Sequence, residues 1–119
     1  GLGDVYKRQE LKQSTHNLRI VFARREGRIY GFVVTGHAGY GEEGEDIVCS
    51  AVSSAVQLVC NTVTDFFHAD ADAALGENRI ELRLNSSDDP SEKLLEAFRD
   101  HMEYIQAKYP GVKVETREA

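Results

Sequence analysis

The sequence contains no tryptophan, only two cysteines and no long uninterrupted hydrophobic run. Two cysteines are too few for a disulfide-stabilised scaffold. The longest apolar runs fall far short of the roughly 20 residues that cross a membrane. The first twenty residues also lack the apolar segment of a secretory signal peptide. These absences predict a cytoplasmic protein that has no membrane partner.

Basic residues are in deficit, since 14 lysines and arginines face 20 aspartates and glutamates and leave a net charge of −6. This balance argues against direct nucleic-acid binding, which normally needs a basic patch, and it suits a basic partner. The chain has 119 residues, of which 41% are hydrophobic and 29% charged. Such a composition is typical of one globular domain with a single modest core.

Residues 1–16 differ from the rest of the chain. The opening "GLGDVYKRQE" shows neither strand alternation nor a helical stripe, and it resembles adaptor or vector sequence more than a native start. We therefore expect residues 1–16 to be a disordered, non-native leader and residues 17–119 to form the domain.

Hydrophobic periodicity and turn signals predict an α+β fold with the element order β-β-α-β-β-α-β. A hairpin turns at Glu26-Gly27, a helix covers residues 47–67, and a second hairpin turns within "LGEN". A second helix follows, with Asp89 as its N-cap and with Pro90 and Glu92 in its first turn. The strand "VKVET" ends the domain. We expect both helices to pack on one mixed or mostly antiparallel sheet, as a single-domain sandwich.

The first helix carries apolar residues on more than one face, which predicts that it is largely buried. One stripe recurs at helical spacing, and valines widen it. The stripe consists of Ile47, Ala51, Ala55, Leu58, Thr62 and Phe66, and the valines are Val48, Val52, Val59 and Val63. Cys49 and Cys60 lie three turns apart on this helix, roughly 16 Å at the standard rise, so they cannot form an intrachain disulfide.

The stretch "GHAGYGEEGEDIVCSAVS" holds a histidine and a cysteine twelve residues apart. Asp46 is the natural N-cap of the helix, which places Cys49 in the first turn. There the free amides and the helix dipole favour a thiolate, and the backbone amides near Val48 and Cys49 could hold an oxyanion. The glycine-rich loop allows His37, at the end of a strand, to reach the thiol. An imidazolium beside a thiolate is the activated pair of a cysteine nucleophile.

From the residues alone, several alternatives remain open. Cys49 equally fits a small buried core residue, and His37 fits a surface position. Asp46 serves either as a cap or as the residue that orients His37, and Ser53 either faces the site or packs. Two ligands do not make a zinc site, and a phosphate loop would need a lysine instead of the loop's glutamates. We expect no metal and no cofactor.

The same stretch closely resembles the motif of the ribosomal-processing cysteine protease family (Prp), and the resemblance extends from about Leu18 to Val114. It implies that Cys49 is the nucleophile and His37 the general acid and base. It further implies that the chain removes an N-terminal extension from large-subunit ribosomal protein twenty-seven. Family members are usually homodimers, and their glycine-rich loop is thought to order over the substrate.

Substrate contacts are expected from four residues around the pair, namely Tyr40, Gly41, Gly44 and Ser53. The predicted partners are the ribosomal protein precursor as substrate and a second copy of the chain. Two other hypotheses remain, a non-catalytic module that binds the ribosome and a redox sensor that uses the Cys49 thiol without His37.

Overall fold

The computed structural model describes residues 18–36, 43–76 and 78–118, and it confirms the predicted element order. The elements are β1 (Leu18–Arg25), β2 (Arg28–Thr35), α1 (Glu43–Asn61), β3 (Ala71–Leu75), β4 (Arg79–Leu84), α2 (Asp89–Lys108) and β5 (Val112–Glu118). Alternating side chains bury one face of β1, β2 and β4. This produces an α+β domain with two helices on a five-stranded mixed sheet. The predicted leader, residues 1–16, lies outside the described residues.

The strands follow the order β3-β4-β2-β1-β5 in the sheet. β1 and β2 form an antiparallel hairpin whose turn residues Glu26 and Gly27 both have positive φ, 53° and 79°. Two such residues are the signature of a two-residue hairpin turn that matches the twist of the strands. β5 pairs with β1 in parallel, with Leu18 opposite Val112. Parallel strands cannot be joined by a tight turn, and here the connection from β1 to β5 runs through all the other elements of the domain.

Three phenylalanines tie the sheet to α2. Phe22 of β1 and Phe32 of β2 lie with ring centroids 5.9 Å apart. Phe98 of α2 sits 5.5 Å from the first ring and 5.0 Å from the second. All three are buried, and tilted ring pairs at these distances are favourable beyond the area they bury. This cluster fixes α2 over the centre of the sheet.

The predictions for α1 were wrong in two respects. The helix begins at Glu43, four residues before the predicted start, and beyond Asn61 it continues as a π-helix over Thr62–Phe66. The predicted stripe also faces outward, since Ile47 is 64% and Leu58 67% exposed. The face that packs on the sheet is formed by the valines, which are Val48, Val52, Val56, Val59 and Val63. Apolar residues occupy both faces, so periodicity alone could not say which one the sheet covers.

By length and composition, Ile47–Phe66 is apolar enough to cross a membrane, with a mean hydropathy of 1.5. The segment nevertheless contains no long uninterrupted hydrophobic run, because small and polar residues divide it into short apolar pieces. In the structure its buried valines belong to the domain core. A central helix of an α+β domain has the same composition, so the hydropathy gives only weak evidence for a membrane span.

The N-cap of α2 is Asp88 and not Asp89 as predicted. Its side chain accepts a hydrogen bond from the Ser91 amide at 3.1 Å. The backbone amide of Asp88 donates in turn to the Glu92 carboxylate at 3.1 Å. Glu92 is nearly buried and also lies 3.5 Å from the Arg28 guanidinium of β2. Asp88 has the extended backbone of a cap residue, with φ −149° and ψ 102°, and since both positions hold aspartate the sequence alone could not choose between them.

Candidate active site

The chain leaves the sheet toward the predicted histidine at the end of β2. That strand ends at Thr35, and Gly36 has a φ of +76°. Only glycine adopts this left-handed conformation without strain, so the backbone changes direction there. His37, Tyr40 and Gly41 lie outside the described residues. Their predicted roles therefore stay predictions.

Cys49 lies on the face of α1 that packs against the sheet, and it is 5% exposed. Because α1 begins at Glu43, Cys49 is its seventh residue and Asp46 its fourth. Asp46 is therefore not the N-cap, and that prediction was wrong. The orientation of His37 by Asp46 stays a prediction, since the side chain of Asp46 is outside the described part of the structure. Gly44 is the second residue of the helix.

The position of Cys49 also changes which amides could serve the reaction. Only the first four N–H groups of a helix lack an acceptor within that helix. In α1 these belong to residues 43–46, so the amides of Val48 and Cys49 are committed to the helix. The expectation that these two amides hold an oxyanion was therefore wrong.

A cavity of about 180 Å³ lies between α1 and the sheet, and its wall on α1 begins at Val52, one helical turn after Cys49. Its lining residues on α1 are Val52, Ser53 and Val56, which follow Cys49 by three, four and seven residues and so share its helical face. Val34, near the end of β2, lines the opposite wall. The cavity thus joins the helix face that carries Cys49 to the strand that leads toward His37.

The rest of the cavity wall is formed by residues that the sequence analysis did not predict to belong to the site. Leu18 opens β1, while Arg79 and Ile80 open β4. Gly76, in the turn between β3 and β4, completes the lining and donates its amide to the Arg79 carbonyl at 2.7 Å. These residues are about 60 positions apart and carry no motif. The register of β4 on β2, with Ile80 opposite Val34, and of β1 on β2, with Ile20 opposite Val34, brings them to one place.

The sequence segment that carries Cys49 and the predicted His37 has charges of one sign. Between Ile29 and Asn78 the sequence has eight aspartates and glutamates and neither lysine nor arginine. The remaining residues hold all 14 basic residues and 12 acidic ones. The nearest cation at the cavity, Arg79, donates to Glu81 at 3.1 Å. The segment that carries the site is therefore strongly acidic, although the rest of the chain is slightly basic.

The second cysteine, Cys60, lies eleven residues further along α1. Cys60 is 7% exposed near the end of α1, and burial raises the pKa of its thiol. A raised pKa keeps the neutral thiol, which is a poor nucleophile. Both cysteines are free. Among residues 18–36, 43–76 and 78–118, no three potential metal ligands come together.

A comparison against protein families identifies the family of the chain. The model for the family described as cysteine protease Prp matches residues 18–113, which is most of the chain. The chain is therefore a cysteine peptidase. It belongs to the Prp family, as its motif predicts.

Solved structures share the fold. One is SMU.848 from Streptococcus mutans, at 27% identity and a TM-score of 0.74, covering 84% of this chain and 98% of that one. Another is the ribosomal processing protease Prp from Staphylococcus aureus with a substrate peptide, at 17% identity and a TM-score of 0.73, covering 86% and 99%. The same protease with a covalently linked product peptide gives 18% and 0.75, covering 84% and 99%. No curated protein sequence matches the chain.

Proposed function

We propose that this chain is a cytoplasmic endopeptidase that removes the N-terminal extension of large-subunit ribosomal protein twenty-seven. Membership of the Prp family supports the peptidase chemistry. The similar fold of a protease that processes ribosomal proteins supports the substrate class. The observation that carries the proposal is the cavity that lies between the helix face bearing Cys49 and the strand that leads to His37.

In the proposed reaction, the Cys49 thiolate attacks the scissile carbonyl carbon and forms a tetrahedral intermediate. His37 then donates a proton to the departing amine, and the C–N bond breaks. Water attacks the resulting thioester with His37 as base, which releases the acid product and restores the thiolate. Asp46, in the first turn of the same helix, is proposed to orient His37.

Substrate side chains are proposed to enter this cavity, whose wall on α1 lies one helical turn after Cys49. Its lining is mostly aliphatic, with Ser53 half-buried one turn after the nucleophile. Tyr40, Gly41 and Gly44 are proposed to contact the peptide from the loop side. The acidic residues of this segment suit a ribosomal protein, because proteins that bind RNA carry basic surfaces.

Incubation of the chain with the precursor of this ribosomal protein tests the proposal. Mass measurement should find two products at one cleavage site, and His37→Ala should abolish the cleavage. An intact precursor after long incubation with wild-type chain would refute the substrate assignment. We also propose that the chain acts as a homodimer, as the family resemblance implies, and sedimentation equilibrium would measure this.

The two other hypotheses make different predictions for the same pair of residues. A binding module would retain the ribosomal protein without turnover, and alkylation of Cys49 would leave binding unchanged. A redox sensor would form a sulfenic acid at Cys49 in dilute peroxide, whether or not His37 is present. Iodoacetamide labelling distinguishes these two hypotheses from the peptidase. In a peptidase whose His37 activates Cys49, removal of His37 should slow alkylation of Cys49.

A further inference from the structure

The outward face of α1 carries large apolar side chains that nothing in the described structure covers. Ile47, Leu58 and Phe66 are 64%, 67% and 76% exposed, and Ala51 is exposed between them. We call these four residues the apolar stripe. Ile47, Ala51 and Leu58 follow one another at spacings of four and seven residues, which places them on one side of the helix. From Ile47 to Leu58 the stripe is about 16 Å long at the helical rise.

The apolar stripe is separate from the catalytic cleft. Leu58 follows Cys49 by nine residues, which is about 2.5 turns, so the two side chains leave the helix on opposite sides. Cys49 is 5% exposed toward the sheet, whereas Leu58 is 67% exposed toward solvent. A substitution in the stripe therefore leaves the nucleophile and the lining of the cavity in place.

The charged residues around the apolar stripe indicate what kind of segment could bind it. Acidic residues 43, 45 and 46 lie in the first turn of α1, and exposed Asp65 lies at the other end beside Phe66. No cation is available anywhere on this helix, because the sequence between Ile29 and Asn78 has none. An apolar stripe between two acidic ends is complementary to a segment that has apolar side chains and flanking lysines or arginines.

A second copy of the chain fits this surface poorly. Pairing two α1 helices antiparallel about a twofold axis would set Asp65 of each copy near the acidic first turn of the other. Pairing them in parallel would set the two acidic first turns together. Either arrangement places like charges at both ends of the contact, which opposes association. An anionic lipid surface is repelled for the same reason.

We propose that the apolar stripe is a docking surface for the mature, basic part of the ribosomal protein substrate. This inference rests on the proposed function and adds a second contact to it. The folded part of the substrate would bind the outer face of α1, and its extension would pass around the helix to the cleft. The diameter of a helix with its side chains is about 10–12 Å. Half of its circumference is therefore about 16–19 Å, which five or six extended residues span.

Binding can be measured without cleavage. The Cys49→Ala chain would be titrated with the mature ribosomal protein, which lacks the extension and so cannot occupy the cleft as a substrate. We expect measurable binding that weakens as salt is added, because salt screens the charged part of the contact. Leu58→Gln should weaken it about tenfold or more, as expected for a central apolar contact. Tyr104→Gln, at an exposed aromatic on α2, is the matched control and should leave binding unchanged.

The sign of the charge is tested with Leu58→Lys and Leu58→Glu, which remove the same apolar contact. A basic partner should bind the lysine variant more weakly than the glutamate variant. The reverse order, or equal binding by Leu58→Gln and the parent chain, would overturn the docking surface. So would a halved molecular mass for Leu58→Gln in sedimentation, because the stripe would then join two copies. Cleavage of the precursor by the wild-type chain is scored separately, so the docking surface and the proposed function can fail independently.

Discussion

The two cysteines of α1 provide a matched pair for testing the nucleophile. Both are buried, at 5% and 7% exposure, and both would lose the same sulfur atom on replacement by alanine. Removing one buried group of this size costs about 1 to 1.5 kcal/mol, from its transfer and the small cavity it leaves. In a domain of this size that shift lowers Tm by about 4 to 6 °C. Cys49→Ala and Cys60→Ala should therefore have similar thermal stability.

Their effects on catalysis should differ by orders of magnitude. Loss of a protease nucleophile lowers kcat by a factor on the order of 10⁶, or about 8 kcal/mol of transition-state free energy. Cys49→Ala should therefore show no cleavage, whereas Cys60→Ala should retain activity within about twofold. Precursor cleavage followed by mass spectrometry, with a thermal melt of each variant, measures both quantities. The reasoning fails if folded Cys49→Ala cleaves at the wild-type rate, or if Cys60→Ala is equally inactive while folded.

Three further predictions concern the fold. Phe98→Ala should lower the free energy of unfolding by about 3 to 5 kcal/mol, because Phe98 fills the space between α2 and the sheet. Urea denaturation measures this free energy, and a loss below about 1 kcal/mol would contradict the prediction. Asp88→Ala should cost about 1 kcal/mol through the lost cap, whereas Asp89→Ala, at the neighbouring carboxylate, should cost less. Hydrogen bonding from Arg19 lowers the pKa of Glu115, so Arg19→Gln should raise that pKa in an NMR titration. The stabilisation from this pair is fully present above the pKa of the unfolded carboxyl and is lost as pH falls through the pKa of the folded protein. If the stability difference between wild type and Arg19→Gln grew on acidification, the prediction would be wrong.

The sequence by itself determined the elements and the family. Local signals are sufficient for this, because alternation, turn residues and helix periodicity depend only on near neighbours. The turn at Glu26-Gly27 and the order of seven elements are examples, and both are confirmed. The motif that contains Cys49 is contiguous, so it could be recognised before any contact was known, and the family match agrees with it.

Only the tertiary structure decided which face of α1 is buried and what surrounds the site. Apolar residues occur on both sides of that helix, so the choice between the valines and the stripe of Ile47 and Leu58 depends on where the sheet lies. The cavity depends on the pairing of β4 with β2, which joins residues that are about 45 to 50 positions apart, such as Val34 and Ile80. Each of these features arises from contacts between distant parts of the chain, and such contacts leave no periodic signal in the sequence.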